Sequence, residues 1–117
     1  RRSEYSPSCT GTEFECLVEG IFEDTGAIVT RTPVTGDQGV DLLVHSQGRL
    51  IAVQCKRSSS PIGNSAVQEA SAGALFHGAD IAWVVSDAPF TKSARQLAGR
   101  IGVQLVDFRL IPEELTK

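Results

Sequence analysis

No stretch of this 117-residue chain comes near the roughly 20 consecutive apolar residues that span a bilayer, and its amino end lacks the basic-then-apolar layout of a signal peptide. A soluble, cytoplasmic domain without a membrane partner is therefore expected. Cysteine is scarce: Cys9, Cys16 and Cys55 form an odd, scattered set with no C-x-x-C pair, which speaks against a disulfide framework and a structural zinc site. A reducing compartment follows, and Cys16 and Cys55 read as small buried apolar side chains. His45 and His77 have no metal partner at a recognisable spacing. Neither G-x-x-x-x-G-K nor G-x-S-x-G occurs, so P-loop nucleotide hydrolysis and serine-hydrolase chemistry have no support. Positive charge is also short: 11 Lys and Arg against 14 Asp and Glu leave a net charge of −3, too acidic for a module that grips nucleic acid by charge alone. Methionine is absent even from the first position, so the chain is expected to be a piece of a longer protein whose other domains are its neighbours.

What is present suits one compact domain. A 41% hydrophobic content is enough for a single core at this length. After a lead-in over residues 1–10, the domain is expected to occupy 11–117. Thr12 and Glu15 have the spacing of a capping box, which predicts a helix from 12 to 25 with Phe14, Leu17, Val18, Ile21 and Phe22 as its buried stripe. A first strand is predicted over 27–34 and a turn over 35–39. The hairpin 40–56 follows. Beyond a polar loop at 57–63, Ser65 and Gln68 suggest a second capping box opening a helix to about Phe76. The apolar run 81–85 reads as a buried parallel strand. Thr91 caps a helix over 92–100, a last strand covers 103–108, and 110–115 is a short terminal helix with Pro112 near its start.

The hairpin carries the chemistry. Val40-Asp41-Leu42-Leu43-Val44-His45 and Leu50-Ile51-Ala52-Val53-Gln54-Cys55-Lys56 flank a turn containing Gly48. An even loop, two residues or four, places Asp41 opposite Gln54, and alternation then puts Asp41, Gln54 and Lys56 on one face. A bulge would break that inference. Ionisable groups are costly in so apolar a segment unless they have a use. A carboxylate, an amide oxygen and an ammonium together suit phosphodiester hydrolysis, because Mg²⁺ takes oxygen ligands and Lys can orient water or stabilise charge on phosphorus. The competing reading is a plain Asp–Lys salt bridge across the hairpin. Glu15, at the margin of its helix stripe, either caps the helix or leans toward a metal–water cluster.

The segments GTEFECLVEGIFEDTGAIVTRTPVTGDQGVDLLVHSQGRLIAVQCKR and GADIAWVVSDAPFTKSARQLAGRIGVQLVD together resemble the Mrr-like restriction endonuclease family of the PD-(D/E)XK nucleases, from about Gly11 to Asp107. The order carries the likeness: a Glu after Phe in a first helix, an Asp in a G-x-D context, Q-x-K on the next strand, and a later F-T segment. The resemblance implies an α/β (α+β) fold of the order αβββαβαβ, a restriction-endonuclease-like core with a central mixed β-sheet flanked by helices. It implies a Mg²⁺-dependent endonuclease, with Mn²⁺ able to substitute, that hydrolyses DNA in restriction or anti-phage defence. Glu15, Asp41, Gln54 and Lys56 would be the catalytic set, Asp41 and Gln54 the metal ligands. Gln54 departs from the superfamily's usual acid, which leaves the number of metals open.

Arg57, Gln68 and Lys92 are candidates for DNA contact. Acidic residues crowd 11–30 (Glu13, Glu15, Glu19, Glu23, Asp24), whereas Arg49, Lys56, Arg57, Lys92, Arg95 and Arg100 come later, so a basic face is expected without a strong independent grip on DNA. DNA and further domains of the same chain are the expected partners, and self-association stays open. Two alternatives remain: a catalytically degenerate nuclease fold serving as a DNA- or protein-binding module, and an interaction domain with a structural ion pair.

Overall fold

The computed structural model describes residues 5–32 and 39–117. The order is α1 (Gly11–Asp24), β1 (Ile28–Arg31), β2 (Leu42–Ser46), β3 (Arg49–Lys56), α2 (Asn64–His77), β4 (Ile81–Ser86), α3 (Lys92–Ile101), β5 (Val103–Asp107), a 3-10 turn at Phe108–Leu110 and α4 (Ile111–Leu115). The expected αβββαβαβ order is met. The strands lie side by side in sequence order. β1, β2 and β3 pair antiparallel, while β3, β4 and β5 pair parallel, so the sheet is mixed. The end of the predicted first strand at Val34 and most of the turn after it lie outside the described residues. Among the described residues no helix is long and apolar enough to cross a membrane.

The sequence dictates these elements through its apolar spacing. Phe14, Leu17, Val18 and Phe22 are the buried positions of α1, at the i, i+3, i+4 spacing of a helix stripe. They pack with Leu42, Val44, Ile51, Val53, Trp83, Val85, Phe108 and Ile111 on one face of the sheet. The other face holds Val40, Ala52, Ala82 and Val84 from the sheet against Ala66, Val67, Ala70 and Ala74 of α2 and Ala94 and Ala98 of α3. β4, apolar from Ile81 to Val85, serves both layers, as a central parallel strand must.

Two predicted helix starts are corrected. The capping box of α1 is Thr10 with Glu13, not Thr12 with Glu15: Glu13 N donates to Thr10 Oγ1 at 3.1 Å, and Thr10 N donates to Glu13 Oε1 at 2.7 Å. Both T-x-x-E frames are in the sequence, and the earlier one buries Phe14 in the first turn. Glu15 is thereby released from capping. At α2 the N-cap is Gly63, with no side-chain cap, rather than Ser65 with Gln68. Tertiary pairing sets this start: Ile62 N donates to Pro89 O and Thr91 N to Ile62 O, both at 2.9 Å, which fixes the backbone just before the helix. Thr91 does cap α3, its Oγ1 accepting from Ala94 N.

Candidate active site

The hairpin turn is the two-residue loop Gln47-Gly48, since Ser46 pairs with Arg49. Both turn residues have positive φ, 54° and 77°, the type I′ geometry that suits the twist of the flanking strands. Leu42 pairs with Val53, and one further step in that register sets Asp41 level with Gln54. The ladder changes at that step. Asp41 N donates to Val53 O at 2.9 Å, so Asp41 and Leu42 both face Val53, which makes a bulge. Packing shows the same slip, because Val40 and Leu43 both lie on the α2 side while Leu42 lies on the α1 side.

The bulge redirects the Asp41 carboxylate. Its Oδ2 accepts the backbone N–H of Cys55 at 2.7 Å, the residue between Gln54 and Lys56. The shared face predicted from alternation thus holds for Gln54 and Lys56, whereas Asp41 joins them through the backbone at the midpoint of the Q-x-K segment. Thr32, just past β1, clamps the bulge: its N donates to Asp41 O at 3.1 Å and its hydroxyl to Val40 O. The Cys55 thiol points to the α1 side. Burial pushes its pKa well up, and the Asp41 and Glu15 carboxylates push it further, so it stays a neutral thiol. Asp41 and Glu15 are therefore electrostatic neighbours of one atom. Glu15 also pairs with Arg31 at 3.4 Å, beside a Glu19–Arg31 pair at 3.4 Å.

On the α2 side, Gln54 is 5% exposed. Its Nε2 donates to Glu69 Oε1 at 2.8 Å, and Lys56 Nζ lies 3.6 Å from the same oxygen. Gln54 Oε1 is buried with no hydrogen-bond partner. A buried carbonyl oxygen left without a donor costs about 1–3 kcal/mol, and such exceptions at a polar cluster ask for a ligand. Glu69 is not legible in the local sequence pattern, because its partner Gln54 lies 15 residues away on another element. The signal is indirect: a neutral residue in an otherwise acidic position invites a carboxylate from the element that follows.

The remaining candidates are dispersed. Arg57 donates to Pro7 O at 3.1 Å and lies 3.8 Å from Asp87. Asp87, whose side chain is 2% exposed, also accepts from Ser58 N at 2.9 Å and from the Tyr5 hydroxyl at 3.0 Å. This network, unseen in the sequence, fastens the loop after β3 to the lead-in, and it absorbs Arg57. Gln68 and Lys92 are exposed, on α2 and at the first position of α3. Cys16 is exposed too, which corrects its reading as a buried apolar residue: it lies on the outward face of α1, off the Phe14, Leu17, Val18, Phe22 stripe.

Among the described residues no three His, Cys, Asp or Glu side chains converge as a metal cluster. A metal site here would combine the Asp41 carboxylate with the Gln54 amide oxygen, leaving other positions to water and phosphate. That donor set is all oxygen and carries little charge, which fits Mg²⁺, an ion that keeps several waters. The orphaned Gln54 Oε1 is the structural observation that favours the fit.

Residues 7–113 match the family model Mrr_cat, described as a restriction endonuclease. A crystallised protein of unknown function, AF1548, resembles the chain in fold, with a TM-score of 0.65 and 21% identity over 76% of this chain and 53% of that one. The chain thus spans about half the length of that protein. Comparison with curated proteins gives no match.

Proposed function

Because the chain belongs to the Mrr-type restriction endonuclease family, whose model covers residues 7–113, we propose that it hydrolyses DNA phosphodiester bonds using Mg²⁺, with Mn²⁺ able to substitute, in restriction or anti-phage defence. The carrying observation is the buried, unpartnered Gln54 Oε1, on a side chain that shares a Glu69 carboxylate oxygen with the Lys56 ammonium at the end of β3. Asp41 would supply the charged ligand and Gln54 the neutral one. A divalent ion so held would activate water and offset charge on the phosphate. Lys56 acts on the attacking water or on the charge that develops at phosphorus. Glu15, on the Asp41 side of β3, would orient water beside the Asp41 carboxylate.

The test is cleavage of plasmid, linear and single-stranded DNA with Mg²⁺, with Mn²⁺ and with neither, beside Asp41→Ala and Lys56→Ala. Asp41→Ala abolishes cleavage and divalent-metal binding while the fold persists. Lys56→Ala slows cleavage by a factor on the order of 10² or more with DNA affinity little changed. Calorimetric metal binding that is unchanged in Asp41→Ala refutes the ligand assignment. Metal-independent DNA binding by a wild-type protein that never cleaves would favour the degenerate binding module. A Lys56→Ala protein that loses stability yet turns over normally per folded molecule would make the Lys56 contact purely structural.

A further inference from the structure

Gln54 leaves the strand without the second carboxylate that a hard cation favours, and a carboxylate outside the assigned set lies against it. Glu69 Oε1 accepts from Gln54 Nε2 at 2.8 Å and stands 3.6 Å from Lys56 Nζ. An ionised carboxylate only accepts hydrogen bonds, so this contact settles the amide's orientation. The NH₂ group faces Glu69, and Oε1 is the atom left buried and unpartnered. Stability is a weak reason for the arrangement, because the Glu69 side chain is 50% exposed and ion pairs so exposed contribute little.

The position of Glu69 is nonetheless enforced. Gly39, two residues before Asp41, has φ +79°, and a Cβ there would lie 2.9 Å from Glu69 Cβ. The backbone leading into the bulge therefore touches the helix at this residue, and a side chain at position 39 would drive the two apart. Gly39 thus lets the backbone just before the bulge approach α2 at Glu69.

Resting on the nuclease reading above, we propose that Glu69 is a positioning residue for hydrolysis. Its carboxylate holds the Gln54 amide so that Oε1 is presented as an acceptor, and holds the Lys56 ammonium beside it. α2 thereby contributes the acceptor oxygen that orients the Gln-x-Lys strand's side chains.

The experiment compares wild type, Asp41→Ala, Glu69→Ala and Glu69→Gln for kcat and KM on plasmid DNA, Mn²⁺ binding by calorimetry, melting temperature, and the NMR signals of the Gln54 side-chain amide. In Glu69→Ala, kcat falls about tenfold or more while KM stays within about twofold, Mn²⁺ binding weakens, and the Gln54 amide signals move to those of an unbonded amide. Glu69→Gln, whose Oε1 accepts the same hydrogen bond, recovers most of kcat. A lower melting temperature with unchanged kcat per folded molecule overturns the proposal, and so do Gln54 signals unmoved by Glu69→Ala. Glu69→Gln as slow as Glu69→Ala overturns positioning in favour of a direct charge effect. Wild type that cleaves no substrate defeats the nuclease reading itself, whereas wild type that cleaves alongside an equally fast Glu69→Ala defeats only the role given to Glu69.

Discussion

Against the α1 side of the sheet lie Phe14, Phe22, Trp83 and Phe108, with Leu and Ile between them; on the α2 side the buried residues are Ala and Val, with Ile62. Ring contacts run through the first layer: Phe22 and Trp83 at 5.7 Å between centroids, Phe14 and Phe108 at 5.5 Å. Large side chains hold α1 off the sheet and give it bulk to bury. Small ones let the α2 backbone come close, and closeness is what allows Glu69 to reach Gln54 and to touch Gly39. One side of the sheet thus buries the bulky side chains, and the other brings a helix close to the Q-x-K strand. The difference teaches that small residues in a core can serve a site as directly as its polar groups do.

The comparison is broken most severely by Phe22→Ala, which empties a fully buried position on the aromatic side. A loss of about 3–5 kcal/mol in unfolding free energy is expected, measured by denaturant titration, with cleavage per folded molecule close to wild type. Cleavage lost in proportion would show that the aromatic side also sets the site. Ala70→Leu tests the other layer. Ala70 is fully buried in α2, one residue from Glu69, and added methylenes there cost about 1–3 kcal/mol. Here the activity loss should exceed what the smaller stability loss accounts for, because the helix moves and Glu69 with it. An Ala70→Leu protein with normal cleavage per folded molecule would separate helix distance from function.

Much of this was legible in the sequence. Hydrophobic period gave α1 its stripe, Thr91 its cap and the apolar run of β4 its parallel neighbours, because in these elements local spacing and tertiary burial agree. The two helix starts were misplaced for different reasons. At α1 two identical capping frames compete, and only packing of Phe14 decides between them. At α2 a tertiary bridge through Ile62, not a side-chain cap, begins the helix. The site was legible in its residue types and less so in its geometry. The even turn loop was read correctly, yet the bulge at Asp41 depends on Thr32, nine positions earlier in the chain, and no period in the hairpin encodes it. Glu69 and Asp87 act through contacts 15 and 29 residues away in sequence, with Gln54 and Ser58, so a reading from local pattern passes them by.

The smallest expected effect concerns two thiols on the α1 side and sharpens the boundary between the layers. Cys16 is exposed on α1, and Cys55 lies on β3 with its pKa raised by burial first and by Asp41 second. Only the thiolate is nucleophilic. A raised pKa keeps Cys55 protonated through the range, near pH 8.5, in which an ordinary thiol ionises. Brief treatment of the folded protein with iodoacetamide at pH 8 should therefore label Cys16 and spare Cys55, read by mass spectrometry of the digested chain. Cys55 should become reactive only at a pH above the range in which an ordinary thiol ionises. Asp41→Asn removes the largest neighbouring charge that holds the Cys55 thiol up, so the lag of Cys55 should shorten without vanishing, since burial remains. If Asp41→Asn leaves the lag unchanged, the Asp41 carboxylate does not stand beside the Cys55 thiol.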